Sequence, residues 1–328
     1  MTAPGDESPV DHDDHDQRAA ATAPEPASAH LWRRGLTRVV EAGLWCFVAA
    51  LAWTAVSIWW GKTWPARVTV LMQSVTPLLF VPVYVLGPLA WWRRRRALAA
   101  ACVILALVHV VLMVPAVGSR TTPGWAATAP RVTVLSSNVF DRNPDDAKAV
   151  ASLLAHDADV MVLVEMDGAF IQALDAAGVD GRYPYKVVGV FGPDTNNVEG
   201  IYSKLPILSH LDVSAGLEVF HEATLSLADL GRYARSVAEP LAVVGDFNAT
   251  QWNPPFADLL DTPLEDAHLA TGKGLSFSWP NSGSLPPFAV MRIDHALLNW
   301  RVAPLHLRDI DVAGSDHKGF VVELAVRR

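Results

Sequence analysis

Three long apolar stretches between residues 39 and 117 constrain this chain more than any other feature. They run from about Val39 to Trp60, Val68 to Trp92 and Ala97 to Val117. A helix crossing a hydrocarbon core of about 30 Å needs about 20 mainly apolar residues, and each stretch is long enough. Glu41, at the edge of the first, can reach an interface. The second carries Gln73, Pro77, Pro82 and Pro88, which predicts a kink. Three runs nearly free of charge are too many for one buried helical hairpin and too long for a signal peptide. Trp59, Trp60, Trp64, Trp91 and Trp92 cluster at their ends, the depth indole rings prefer.

Lysine and arginine set the expected orientation. Arg33, Arg34 and Arg38 precede the first stretch and Arg93–Arg96 join the second to the third, whereas the Gly61–Arg67 loop holds only Lys62 and Arg67. The positive-inside rule then puts the N-terminus and the Arg93–Arg96 loop in the cytoplasm, and three crossings put everything after Gly118 outside.

Composition divides at the same place. Nine of the 12 tryptophans lie before residue 126. Residues 1–130 hold 11 Lys+Arg against 8 Asp+Glu, net +3; residues 131–328 hold 15 against 26, net −11; together they give −8. A strongly basic nucleic-acid binder does not fit this balance, although an acidic domain can bind phosphates when cations supply the positive charge. Both cysteines, Cys46 and Cys102, lie in apolar runs, so residues 131–328 contain neither a disulfide nor a cysteine-based zinc site. Residues 1–30 read as a disordered acidic tail, its Asp11–Asp16 run a solvated charge cluster rather than a metal site.

The expected organisation is a tail over 1–30, a membrane anchor over 31–118 (helices at about 39–60, 68–92 and 97–117), a linker over 119–130 and an α/β domain over 131–328. In that domain Val132–Asn138 and Val160–Val164 read as strands. Asn143-Pro144-Asp145-Asp146 reads as a helix start with Asn143 as N-cap, the helix running to about His156. A second helix covers about Ala169–Ala177. Further strands are expected at Tyr185–Val190, Ile201–Ser203, Leu208–Val213, Ala223–Leu227, Leu241–Val244, Ile293–Leu298 and Phe320–Val326, with a helix near Ala228–Val237.

Polar residues gather where these strands end, the usual place for sites in α/β folds. The places are Ser137-Asn138, Val164-Glu165, Gly245-Asp246-Phe247-Asn248, Arg292-Ile293-Asp294-His295 and Gly314-Ser315-Asp316-His317. Singly, each reads as a turn or a helix cap. Together they supply hard oxygen ligands, amides for phosphate oxygens and a histidine with a spare carboxylate.

With Gly200-Ile201-Tyr202-Ser203-Lys204, these segments resemble the endonuclease/exonuclease/phosphatase superfamily in its own order, over nearly all of 131–328. A bacterial subgroup joins such a domain to N-terminal membrane helices, and this chain is similar to it. The resemblance implies a four-layer α/β/β/α sandwich (DNase I-like) and a Mg²⁺ or Mn²⁺ cofactor. It implies Glu165 as principal metal ligand with Asn138 and Asp316 nearby. It implies Asp246 aligning or deprotonating the attacking water, Asn248 holding the phosphate or the metal-bound water, and His317 contacting the phosphate and acting in proton transfer, with Asp294 fixing its tautomer and raising its basicity. His295 is expected on the opposite sheet face and outside the site.

One departure from the family bears on activity. The family has a strand before its Gly-Asp-x-Asn strand that ends in a phosphate-binding group, and the residues between Lys204 and Leu241 leave little room for it. The expected sandwich is therefore short of one central strand segment, with His210 or His221 as possible stand-ins. The resemblance implies a membrane-anchored phosphodiesterase or phosphatase acting outside the cytoplasmic membrane. The alternative is a membrane-tethered pseudoenzyme or binding module. The expected partners are a phosphate ester, from nucleic acid or a lipid head group, and the bilayer; no protein partner is predicted.

Overall fold

The computed structural model describes residues 27–190, 198–208, 222–281 and 288–327. His210, His221 and the strand expected near Leu208–Val213 fall wholly or largely outside them, as does most of the acidic tail. The chain divides into one unit ending at Phe47 and a second running from Val48 to Arg328.

The first unit contributes the beginning of α1, Ala27–Trp59, which starts inside the stretch expected to be disordered. The anchor continues with α2 (Ala66–Ser74), α3 (Thr76–Leu79), α4 (Val83–Trp92) and α5 (Arg96–Val117). Two segments, Gly35–Trp59 and Arg96–Val117, are long and apolar enough to cross a membrane. The middle stretch is not the single kinked helix expected: Ala66–Ser74 and Thr76–Trp92 meet at 78°. Pro77 has no N–H to offer the Gln73 carbonyl, and its ring crowds that carbonyl. The Thr76 hydroxyl donates to Gln73 O instead, at 2.7 Å. Gln73, itself buried, donates to Ser57 Oγ at 3.0 Å and to Lys62 O at 2.9 Å, holding the break against α1.

After the break the chain climbs alongside α5. Gly87 meets Cys102, the Tyr84 hydroxyl lies 3.0 Å from His109 Nδ1, and Phe80 stacks on His109 at 5.3 Å. Val103, Ile104, Leu107, Val110, Val111, Val114 and Val117 stay exposed along the other side of α5. An apolar face without protein cover is what a lipid-facing helix presents.

The rest of the second unit is a two-sheet sandwich. The strands and helices in chain order are β1 (Arg131–Asn138), α6 (Asp146–Leu154), β2 (Val160–Met166), α7 (Gly168–Ala176), α8 (Val179–Arg182), β3 (Tyr185–Val190) and β4 (Val198–Ser203). There follow α9 (Glu222–Ser236), β5 (Ala242–Asp246), α10 (Pro254–Leu260), β6 (Leu264–Asp266), α11 (Ala267–Ala270), β7 (Asp294–Asn299), β8 (Val302–Asp311) and β9 (Lys318–Val326). One sheet has the order β3-β4-β2-β1-β9-β8 and the other β5-β7-β6. β1 and β2 are parallel, and the other pairings are antiparallel.

Period-two alternation builds the layers. Leu135, Met161 and Leu163 point outward to pack under Val150, Leu153, Phe170 and Leu174 of α6 and α7. Val134, Val160, Val162, Phe320 and Val322 point inward to meet Ala296 and Leu298 of the second sheet. Leu297 and Val243, on that sheet's outer face, are covered by Leu227, Phe256 and Leu259 from α9 and α10. The result is the expected α/β/β/α order of layers.

Three local expectations need correction. Asn143 does not cap α6: Asp145 does, accepting from Lys148 N, while Asn143 accepts from Asp145 N at 2.9 Å and ties Val139 O to Ala313 O. Residues 223–227 belong to α9 rather than a strand. Leu227, Leu230 and Ala234 recur at helical spacing against α10, and a five-residue window cannot separate the two periods. β8 escaped notice because Pro304 and its charged residues blur the alternation; it is an edge strand, bulged between Pro304 and His306, where proline is tolerated. Among the described residues no strand lies between β4 and β5, and β5 forms an edge of its sheet.

The sandwich is joined to the anchor through side chains. Ser74 Oγ donates to Asn253 Oδ1 at 3.0 Å, Asn253 Nδ2 donates to Val70 O at 3.2 Å, and Trp252 Nε1 donates to Leu112 O at 3.3 Å. A Cβ at Gly274 would lie 2.6 Å from Ala116 O, so only glycine permits that approach to α5. Arg120 N donates to Ala270 O at 2.9 Å, which fixes the connection between α5 and the sandwich.

Candidate active site

The ends of β1, β2, β5 and β7 and the turn before β9 converge on one cleft of about 460 Å³. Register explains the central pair. Asp246, the last residue of β5, stands directly opposite Asp294, the first of β7. Directly opposed antiparallel residues share a face, so the two carboxylates are held together. His317 completes the group: its Nδ1 lies 2.9 Å from Asp294 Oδ2 and its Nε2 3.8 Å from Asp246 Oδ2. Among the described residues, Asp246, Asp294 and His317 are the three whose donor atoms lie within 4.8 Å of one another.

The surroundings fix each member. Asp246 Oδ1 accepts from Asn248 N at 2.7 Å, and Oδ2 from Asn138 Nδ2 at 3.3 Å. The hydroxyl of Ser278 accepts from Ile293 N and Asp294 N, at 3.1 and 3.3 Å. Ser315 donates to Asn138 O at 2.8 Å and accepts from His317 N at 3.0 Å, tying the turn before β9 to the end of β1. Asp316 Oδ2 accepts from Trp279 Nε1 at 3.2 Å.

Three residues around the cleft have left-handed backbones: Phe140 (φ 67°), Glu165 (φ 55°) and Asn248 (φ 48°). Such a conformation costs about 1–3 kcal/mol away from glycine and persists only where the surroundings impose it. At Glu165 the β2–β4 register shifts between Leu163 and Met166. A bulge of this kind re-aims a side chain, and here the carboxylate lines the cleft.

Burial and like charge dominate the electrostatics. Burial pushes the Asp246 carboxyl up, and the facing Asp294 charge pushes it further. Burial likewise raises Glu165, partly offset by a hydrogen bond from Asn138. Burial alone would lower His317, but the hydrogen bond and charge of Asp294, with the charges of Asp246 and Asp316, push it up to about 9. The imidazole is therefore cationic at neutral pH, with Nδ1–H donated to Asp294 and Nε2–H facing the cleft.

The sequence-derived residues thus fall into two sets. Asp246, Asp294 and His317 form the central cluster, with Asn138 donating to Asp246; Glu165, Asn248 and Asp316 line the same cleft. His295 points to the opposite face, with Nδ1 2.5 Å from Asp266 Oδ2 and its ring packed on Phe256. Sequence reasoning missed Ser278, Ser315, Trp279 and Phe140, and the anchor residues Leu71 and Ser74 that complete the cleft wall. None carries a local motif, because each acts across a long sequence separation.

The donor set fits a hard divalent cation. Asp294 Oδ1 and Asp316 Oδ1 are buried without a hydrogen-bond partner. Glu165, Asp246, Asp294 and Asp316 put four carboxylates in one place against one imidazolium, and a phosphate could enter only with added positive charge.

The sequence profile of the endonuclease/exonuclease/phosphatase family matches residues 135–317, a span that contains every strand end described above. The chain belongs to this family. Its members hydrolyse phosphoester bonds and generally depend on divalent metals, and an acidic cluster able to hold such an ion is present here. Similar solved structures include the endonuclease/exonuclease/phosphatase of Bacteroides vulgatus, 14% identical, covering 60% of this chain and 100% of that one with a TM-score of 0.48. D. rerio TDP2 complexed with single strand DNA product is 20% identical, covering 60% of this chain and 99% of that one, TM-score 0.46. The mannosyl-6-phosphatase Bt3783 of Bacteroides thetaiotaomicron is 17% identical, covering 59% and 99%, TM-score 0.42. None of the curated proteins matches this chain.

Proposed function

We propose that the protein is a membrane-anchored, divalent-metal-dependent phosphoesterase whose cleft lies outside the cytoplasmic membrane. The observation that carries this reading is the Asp246–Asp294–His317 cluster, with unpartnered carboxylate oxygens beside it. Glu165, with Asn138 and Asp316, would hold Mg²⁺ or Mn²⁺. The ion would neutralise charge on the phosphate oxygens and the leaving oxygen.

The chain's own groups would do the rest. Asp246, oriented by Asn248 N and Asn138 Nδ2, aligns a water and takes its proton as the water oxygen bonds to phosphorus. Cationic His317 places Nε2–H against a phosphate oxygen, while Asp294 holds the ring in that tautomer. Asn248 offers its amide to another phosphate oxygen. The ester P–O bond breaks as His317 Nε2 gives its proton to the departing oxygen, which leaves as an alcohol. The proton taken by Asp246, whose Oδ2 lies 3.8 Å from Nε2, restores the imidazolium. Nothing here calls for a covalent enzyme intermediate. The alternative, a tethered module without turnover, draws on one observation: β5 carries Asp246 yet is an edge strand among the described residues.

The test is turnover of bis(p-nitrophenyl) phosphate by full-length protein in detergent. Release of p-nitrophenol with Mg²⁺ or Mn²⁺, abolished by chelation, is the expected result. Folded protein without turnover on this or any ester offered would favour the binding module.

Sidedness has its own test. The contacts of the bent middle stretch advance along α5, from Gly87–Cys102 through Tyr84–His109, which supports one broken span and three crossings. Alkaline phosphatase fused after Arg328 is expected to be active, and fused within Arg93–Arg96 inactive. The reverse pattern would place the cleft in the cytoplasm.

A further inference from the structure

The cleft has an unusual wall. Opposite the polar floor of Glu165, Asp246, Asp316 and His317 it is lined by Leu71 and Ser74, which belong to α2 of the anchor. Leu71 is 57% exposed, and its neighbour Val68 61%. The same side chain thus borders the reacting groups and lies, with Val68, on an exposed face of α2. The remaining rim adds Phe140, Trp279 and Met291.

The wall is built in. Asn253 grips Val70 O and Ser74 Oγ, and Trp252 grips Leu112 O, within five residues of Asn248 in the same loop. A helix of 22 residues spans about 33 Å, roughly one hydrocarbon core. Leu112 and Ala116 lie in the final turns of α5, a segment long and apolar enough to cross a membrane. The cleft is thus pinned beside the end of that segment, with exposed Leu71 on its wall.

Resting on the hydrolase reading, we infer that the substrate is a phosphoester-bearing lipid that remains in the bilayer while its head group enters past Leu71. The apolar wall then contacts the first part of the acyl or glycerol region, and the phosphoester reaches His317 and Asp246. Hydrolysis adds water across the ester P–O bond and leaves the lipid product in the membrane. A polyanionic nucleic acid fits less well, because the domain carries net −11 and Arg142, the one guanidinium lining the cleft among the described residues, is paired with Asp141.

The test uses full-length protein in vesicles of phosphatidylethanolamine, phosphatidylglycerol and cardiolipin with Mg²⁺, following head-group release. The same preparation is assayed on bis(p-nitrophenyl) phosphate. Wild type is expected to cleave at least one of the vesicle lipids. Diluting the phospholipid with a phosphate-free glycolipid at constant bulk concentration should lower the rate with the lipid's mole fraction. Leu71→Gln should lower the ratio of lipid to soluble turnover roughly tenfold, the scale on which an apolar pocket responds to a change of one small apolar group, and Leu71→Met should restore it. Turnover of the soluble diester without any lipid cleavage would overturn this inference and leave the hydrolase reading standing. So would an unchanged ratio in Leu71→Gln, or a rate indifferent to mole fraction. Failure on both substrates would count against the hydrolase reading and this inference together.

Discussion

His317→Ala is expected to lower phosphodiester turnover by about 10²–10⁴-fold, the range for a positioned proton-transfer group. The side chain is buried, bonded through Nδ1 to Asp294, and held cationic by the carboxylates around it. Alanine removes the imidazolium that offsets Asp246 and Asp294 and leaves those opposed carboxylates without its counter-charge. Asp294→Asn should keep the geometry and lose the charge, lowering kcat with little change in KM. A stability signature accompanies this. The folded pKa of His317 lies above its ordinary value, so its contribution is fully present below about pH 6.5 and lost as pH rises through about 9. With metal chelated, the wild-type melting temperature should fall across that window, and His317→Ala should flatten the fall. Turnover within threefold of wild type in His317→Ala would remove the residue from the mechanism.

Asp266→Ala is expected to destabilise the sandwich by about 3–5 kcal/mol, because removing one member of a buried ion pair strands the other. Asp266 Oδ2 accepts from Arg292 Nη1 at 2.8 Å and contacts His295 Nδ1 at 2.5 Å. Its Oδ1 caps α11, accepting from His268 N at 2.8 Å and Leu269 N at 3.0 Å. Burial would raise this carboxyl, but Arg292 and His295 hold it well below the usual carboxylate range. Arg292 is itself buried, so alanine leaves a guanidinium without its counter-charge. For a domain of this size the loss corresponds to a melting temperature lower by roughly 6–20 °C. Activity should fall too, since Arg292 stands two residues before Asp294 and the network sets the start of β7. Asp266→Asn, which can still cap α11, should lose less. A drop under about 1 kcal/mol would show that the network contributes little net stability.

Much of this was legible in the sequence because short-range physics determines it. The apolar, β-branched runs in Val132–Asn138 and Val160–Val164 mark strands, and the structure sends Val134 and Leu135 to opposite faces of the sheet. Strand-end carboxylates, amides and a histidine were legible as a set because each ends a recognisable apolar run. Alternation also put His295 on the far face, but nothing local showed that its partner is Asp266, 29 residues earlier. The same limit hid Ser278, Ser315 and the second role of α2. Their meaning depends on which segments the fold brings together, and an isolated serine or leucine carries no trace of that. The misread strand at 223–227 has a different cause. Thr224-Leu225-Ser226-Leu227 satisfies period two locally, and only the longer run of Leu227, Leu230 and Ala234 reveals the helix.

The central claim is that one cleft both binds a divalent cation through Glu165 and hydrolyses a phosphoester. Its most direct test is the rate of bis(p-nitrophenyl) phosphate hydrolysis by full-length wild type and Glu165→Gln, each titrated with Mg²⁺ from a chelated start. The expected result is a saturable Mg²⁺-dependent rate in wild type and, in Glu165→Gln, a half-saturating Mg²⁺ concentration raised by at least about tenfold, the low end of losses expected when a ligand shell is damaged. A rate that survives chelation, or identical Mg²⁺ curves for the two proteins, would contradict it.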